Sequence, residues 1–86
     1  MPELSRFFGI IIAMYYNDHA PPHFHAKYGD DEATIRIDNG EVLEGSLSSR
    51  AKRLVDEWRL LHEAELHDDW SRARARQPLN KIEPLE

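Results

Sequence analysis

Three of the five histidines in this 86-residue chain fall within one short segment, at His19, His23 and His25. In a β-strand, residues two apart point to the same side and lie about 7 Å apart. His23 and His25 therefore share a strand face, and a turn at Pro21-Pro22 can fold His19 back towards them. Two imidazoles on a strand and a third from the adjoining loop can hold a divalent transition metal such as zinc.

A carboxylate precedes these histidines. Asp18 can supply an oxygen ligand, or it can accept a hydrogen bond that fixes a histidine tautomer. The sequence therefore predicts a metal site formed by Asp18, His19, His23 and His25. The His-x-His spacing alone does not reproduce a defined zinc signature.

The same histidines also suit metal-free proton transfer, because imidazole exchanges a proton near neutral pH. In cleavage of RNA, one histidine would take the 2′-hydroxyl proton and the other would protonate the leaving oxygen. Lys27 or Arg36 would stabilise the phosphorane. This alternative predicts a catalytic group of His23, His25, Lys27 and Arg36. A third interpretation makes the same strand face an ordinary solvated surface.

Composition limits the class of protein. The chain is 41% hydrophobic and 31% charged, which is typical of one soluble globular domain spanning residues 1–86. It has no cysteine, which excludes disulfides and thiolate metal sites and predicts a cytoplasmic location. The net charge of -5 argues against extensive nucleic-acid binding. Arg72, Arg74 and Arg76 form either a local basic patch or a helix end rich in cations.

Residues 7–16 form the one strongly apolar run. The run is too short to span a bilayer and lacks the flanking features of a signal peptide. Apolar residues on both of its faces predict one strand that is central in the sheet or covered by a partner, with Gly9 allowing a close approach or a bend. No association with a membrane is therefore expected.

The remaining pattern predicts an α+β domain. Residues 1–45 should form an antiparallel meander of three to four strands, with a hairpin at Asn39-Gly40. One long amphipathic helix over residues 46–77, capped by Ser48 or Ser49 and bent near residues 67–69, should pack on the sheet. An extended tail, residues 78–86, should add an edge strand or bind a partner.

With these segments in view, the chain resembles a bacterial family known as domain of unknown function 4160. The resemblance covers nearly the whole chain and rests on the start MPELSRFFGIIIAMYYNDH, the segment PPHFHAKYG, the stretch GEVLEG and the C-terminal PLNKIEPL. It implies a small protein often encoded beside another small protein, in arrangements resembling toxin–antitoxin pairs. It implies no established catalytic residues. The positions most characteristic of the family serve as a site hypothesis; they are Asn17, His19, Pro21, Pro22, His23 and His25.

Two functional hypotheses result. The first is a toxin-like or regulatory component of a two-gene system that acts on RNA through the histidine-bearing strand face. The second is a non-enzymatic module that uses the same histidines to bind a metal or a protein. The expected partners are a small cognate protein from a neighbouring gene, RNA, or a second copy of the chain, because a core this small gives marginal stability.

Overall fold

A computed structural model describes residues 2–86, so Met1 of the predicted 1–45 span lies outside the described residues. The domain is α+β, as predicted, with an antiparallel meander of five strands in sequential order followed by two helices. The elements are β1 Glu3–Phe7, β2 Ile10–Ala13, β3 His23–Tyr28, β4 Asp31–Arg36, β5 Val42–Gly45, α1 Ser49–Leu61 and α2 Glu63–Arg74. The prediction of three to four strands and one helix was therefore wrong in both counts.

The additional strand comes from residues 7–16, which do not form a single strand. Phe8 and Gly9 both have positive φ, 49° and 81°, as in a two-residue hairpin turn of type I′. Phe7 consequently pairs with Ile10 across the turn. The apolar run is thus divided between the end of β1 and all of β2.

The alternation predicted for β3 is present. Phe24 and Ala26 are fully buried, and the Phe24 ring meets the ring of Trp58 from α1 at 5.9 Å. His25 lies on the opposite face and pairs in register with Thr34 of β4. The alternation therefore separates the core residues of β3 from its histidines.

The predicted long helix is interrupted at His62, five residues before the expected bend. His62 has φ −125° and ψ 24°, and it ends α1 and begins α2. An unbroken helix over residues 49–74 would be about 39 Å long, whereas the longest dimension of the domain is 33 Å. The break lets both apolar stripes pack into one core. The predicted cap is confirmed at Ser48, whose Oγ accepts a hydrogen bond from Ala51 N–H at 3.2 Å.

The C-terminal tail packs back onto the domain. Ile82 is buried, and its N–H donates to the Leu4 carbonyl of β1 at 2.8 Å. Trp58 Nε1 donates to the Glu83 carbonyl at 2.8 Å. The tail thus lies against the β1 side of the sheet. No helix within residues 2–86 is long and apolar enough to cross a membrane.

Candidate metal centre

The connection between β2 and β3 brings Asp18 over the start of β3. It contains a cis peptide bond between Ala20 and Pro21. The Pro22 carbonyl accepts a hydrogen bond from Ile37 N–H at 3.0 Å, which attaches the turn to the chain just after β4. His23 is the first residue of β3, so the turn and the strand face meet at this point.

Three side chains converge there. Asp18 Oδ2 lies 2.9 Å from His25 Nε2 and 3.1 Å from His23 Nε2. One donor atom from each of the three residues falls within 4.8 Å of the other two. Their side chains are only 10% (His23), 16% (His25) and 25% (Asp18) exposed, so little water screens the carboxylate from the imidazoles.

The tautomer of His23 follows from its other contact. His23 Nδ1 lies 2.7 Å from the Pro21 carbonyl oxygen. A carbonyl can only accept, so Nδ1 must carry a proton and donate it. In a neutral ring Nε2 then carries a lone pair close to the Asp18 carboxylate. Two electron pairs 3.1 Å apart repel each other unless a proton or a metal cation lies between them.

His25 has a similar arrangement. Its Nδ1 lies 3.3 Å from Thr34 Oγ1, and a threonine hydroxyl can donate or accept. When Thr34 accepts, Nδ1 is protonated and Nε2 offers a lone pair beside Asp18. Both rings can then present Nε2 to the carboxylate while an oxygen acceptor holds Nδ1–H. This is the usual environment of a histidine that binds a metal.

Two aromatic side chains enclose the imidazoles. The Tyr15 ring meets His25 edge-on at 4.4 Å between centroids, and the Trp70 ring lies 5.1 Å from that of His23. Burial raises the pKa of the Tyr15 hydroxyl, and the negative charges of Glu32 and Asp18 raise it further. Tyr15 therefore remains a neutral hydroxyl beside the site at neutral pH. Trp70 belongs to the hydrophobic core and is also a wall of the site.

A cleft of about 470 Å³ opens onto this group. The described residues that line it are Asp18, His19, Ala20, Pro21, His23, His25, Thr34, Leu43 and Glu44. His19 is exposed and belongs to the cleft wall, but the structure does not bring it into the converging group. The cleft therefore gives solvent access to three donors rather than four.

The two predicted catalytic cations lie elsewhere. Lys27 is exposed and pairs in register with Glu32. Arg36 lies opposite His23 in the register, but its Nε donates to Asp38 at 2.7 Å. Neither residue lines the cleft. The structure thus joins His23 and His25 but leaves Lys27 and Arg36 outside the cleft.

Thr34 was missed in the sequence, although a signal for it existed. The connection at Gly29-Asp30 pairs Tyr28 with Asp31. Counting away from this turn, backwards along β3 and forwards along β4, places His25 opposite Thr34. The contact of Trp70 with His23 had no such signal, because it depends on how α2 packs.

Comparisons of the chain with curated proteins and with solved structures found no match. A family model described as domain of unknown function (DUF4160) matches residues 9–71, which include the converging group and both aromatic walls. This match covers most of the chain, which therefore belongs to the DUF4160 family.

Proposed function

We propose that this domain binds a divalent transition metal through Asp18, His23 and His25. The observation that carries the proposal is the convergence of their donor atoms within 4.8 Å in a cleft open to solvent. Two imidazoles and one carboxylate suit zinc or iron. The metal version of the site hypothesis is thus favoured over metal-free chemistry.

The separations between donors support a shared ion. An ion held ~2.0–2.1 Å from each donor would separate neighbouring donors by about 2.9 Å at right angles and about 3.4 Å in a tetrahedron. The Asp18 oxygen lies 2.9 Å and 3.1 Å from the two Nε2 atoms. These two separations are therefore close to the spacing that binding requires, and the third, between the histidine donors, lies within 4.8 Å.

Three protein ligands leave at least one coordination position free. Sites of this kind hold water or another small molecule at the free position, whereas purely structural zinc sites use four protein ligands. The cleft supplies the space for that molecule. The proposal is thus a reactive or ligand-binding metal site rather than a structural one.

Calorimetric titration with zinc at about pH 7.5, where imidazole is largely neutral, tests the proposal. Wild type should bind one zinc per chain, and Asp18→Asn and His25→Ala should each weaken binding at least tenfold. His67→Ala is the matched control, since His67 lies on α2 and its one ion pair is a 4.0 Å contact with Glu63. Absence of binding to wild type, or equal loss in His67→Ala, would exclude the site.

A second candidate is a toxin-like or regulatory cytoplasmic component of a two-gene bacterial system that acts on RNA. It is supported by the pairing of the His23 and His25 imidazoles, whose centroids lie 5.4 Å apart in an open cleft. Cleavage of RNA by wild type, His23→Ala and His25→Ala, each with and without a chelator, tests it. Activity that survives chelation and disappears in both variants supports metal-free acid–base catalysis. Equal activity in all three proteins would exclude it.

A small cognate protein from a neighbouring gene is the proposed partner in that system. Among the described residues β5 pairs with β4 alone, and Val42 and Leu43 of β5 are exposed beside the cleft. An unpaired strand edge of this kind can accept a strand from a partner. Light scattering of this chain co-expressed with the product of the neighbouring gene should give the mass of a heteromeric complex. A Val42→Lys change should reduce the fraction of the chain found in that complex. A homodimer of this chain alone would instead assign the edge to a second copy.

A further inference from the structure

A second depression adjoins the proposed metal site. It has a volume of about 320 Å³, and its described lining is Tyr16, Asn17, Asp18, His19, Ala20, Arg74 and Arg76. It shares Asp18, His19 and Ala20 with the first cleft, so the two lie side by side. The first cleft contains the Asp18 carboxylate and two imidazoles, whereas this depression contains two arginines. A ligand that spans both would meet guanidinium groups at one end and the proposed metal at the other.

The arginines are available to bind an anion. Arg74 is exposed and makes no hydrogen bond or ion pair with any described residue. Arg76 Nη2 donates to Asn17 Oδ1 at 3.2 Å, which holds its guanidinium over the turn that carries Asp18. By contrast, Arg72 is already paired with Asp68 at 2.9 Å. The two arginines that line the depression therefore form no ion pair with any described residue, unlike Arg72.

Arg76 occupies a position that normally favours glycine. α2 ends in a Schellman motif, in which Gln77 N–H donates to the Arg72 carbonyl at 2.8 Å and Arg76 N–H donates to the Ala73 carbonyl at 3.1 Å. Arg76 has φ 57°, a left-handed conformation that residues other than glycine rarely adopt. Stabilisation of the helix dipole does not require this residue, because Arg72 and Arg74 already lie in the last turn.

We propose that the natural ligand of the metal site is a small molecule bearing an oxyanion, a carboxylate or a phosphate, which Arg74 and Arg76 bind. Guanidinium groups recognise planar or tetrahedral oxyanions through paired N–H donors. The rest of the ligand extends past Ala20 into the first cleft and reaches the free coordination position. This inference rests on the proposed function, since the metal fixes the second end of the ligand.

The test measures binding of inorganic phosphate, and separately of succinate, by NMR titration at constant ionic strength. Both titrations are run in chelator and with one equivalent of zinc. Each anion, phosphate and succinate, should shift the backbone signals of Asn17 and Arg76. Arg74→Gln combined with Arg76→Gly should weaken the binding about tenfold, as expected for loss of two charge-assisted contacts near the surface. Whichever anion binds more tightly identifies the class of oxyanion.

Arg76→Gly is informative because it relieves the strained position, so the variant should be at least as stable as wild type. A loss of anion binding in a more stable protein cannot result from unfolding. Arg53→Gln is the charge-matched control, since Arg53 is an exposed residue on α1 that lines neither depression. Arg53→Gln should leave the affinities for phosphate and for succinate unchanged.

The outcomes separate the two proposals. Zinc binding without saturable anion binding, or with equal anion affinity in wild type and the double variant, overturns the oxyanion site and leaves the metal site intact. Anion binding at Arg74 and Arg76 without zinc binding excludes the metal site but supports the oxyanion site. Tighter anion binding in the presence of zinc supports the complete inference.

Discussion

Zinc should raise the thermal stability of the domain, and Asp18→Asn should remove most of that effect. A ligand that binds only the folded state stabilises it by RT ln(1 + [L]/Kd), which is about 2.7 kcal/mol when the free concentration is 100 times Kd. For a domain of this size, 1 kcal/mol corresponds to about 4–8 °C in Tm. Zinc at that concentration should therefore raise the wild-type Tm by roughly 10–20 °C.

The Asp18 carboxylate is the only charged donor of the three. Its Oδ2 atom lies within 3.1 Å of the Nε2 atoms of His23 and His25. An asparagine keeps the shape of the side chain but removes the negative charge. If affinity falls about a hundredfold, the same zinc concentration is only about equal to Kd, and the stabilisation drops to about 0.4 kcal/mol. The Tm of Asp18→Asn should then rise by no more than about 3 °C.

Circular dichroism melting curves with and without zinc measure both shifts, and excess chelator should reverse them. His67→Ala should behave as wild type does. Because a metal displaces protons from imidazole, the shift should also shrink from about pH 7.5 to about pH 5. A zinc-dependent shift in Asp18→Asn equal to that of wild type would refute the reasoning, as would the absence of a shift in wild type.

Four further substitutions test the fold that positions the site. Gly45→Ala adds a Cβ that overlaps the Glu32 carbonyl, so urea denaturation should show a loss of more than about 2 kcal/mol, whereas Gly29→Ala, also at positive φ but in open space, should cost about 1 kcal/mol. Burial raises the pKa of the Asp69 carboxyl, so its folded state holds the proton more tightly and its contribution to stability falls as pH rises above its ordinary 3.8. Asp69→Asn should therefore gain stability relative to wild type as pH rises above about 4, and a difference that shrinks with rising pH would contradict the sign. Ile82→Ala should cost about 2–3 kcal/mol and speed proteolysis of the tail, and an unchanged cleavage rate would show that the tail is held by other contacts.

Local patterns were sufficient to predict the part of the fold that lies close together in sequence. The period-two alternation of β3 placed His23 and His25 opposite Phe24, and the Ser48 cap followed from residue type. Asp18 was identified as a donor because it immediately precedes the histidines. These features depend on interactions across fewer than ten residues.

The predictions from the sequence that were wrong concern features that depend on the whole fold. The apolar residues on both sides of Gly9 resemble one buried strand, because both β1 and β2 face the core. The signal for a turn was Gly9 alone, and Phe8 is not a residue normally expected at positive φ. The break at His62 was equally hidden, since the apolar stripe continues beyond it. Only the packing of both helices into one core reveals the break.

The candidate site combines a local centre with a distant wall. Asp18, His25 and Thr34 lie within one turn and one hairpin, so their contacts can form as that hairpin forms. Trp70 comes from α2, and it packs on His23 through the tertiary fold. The same helix end carries Arg76 to Asn17, beside the carboxylate. Docking of α2 therefore both encloses the histidines and sets the charge next to them. For this reason the convergence of Asp18, His23 and His25 could be anticipated from the sequence, in a predicted group that also included His19, whereas the depression lined by Arg74 and Arg76 became evident only once α2 was placed.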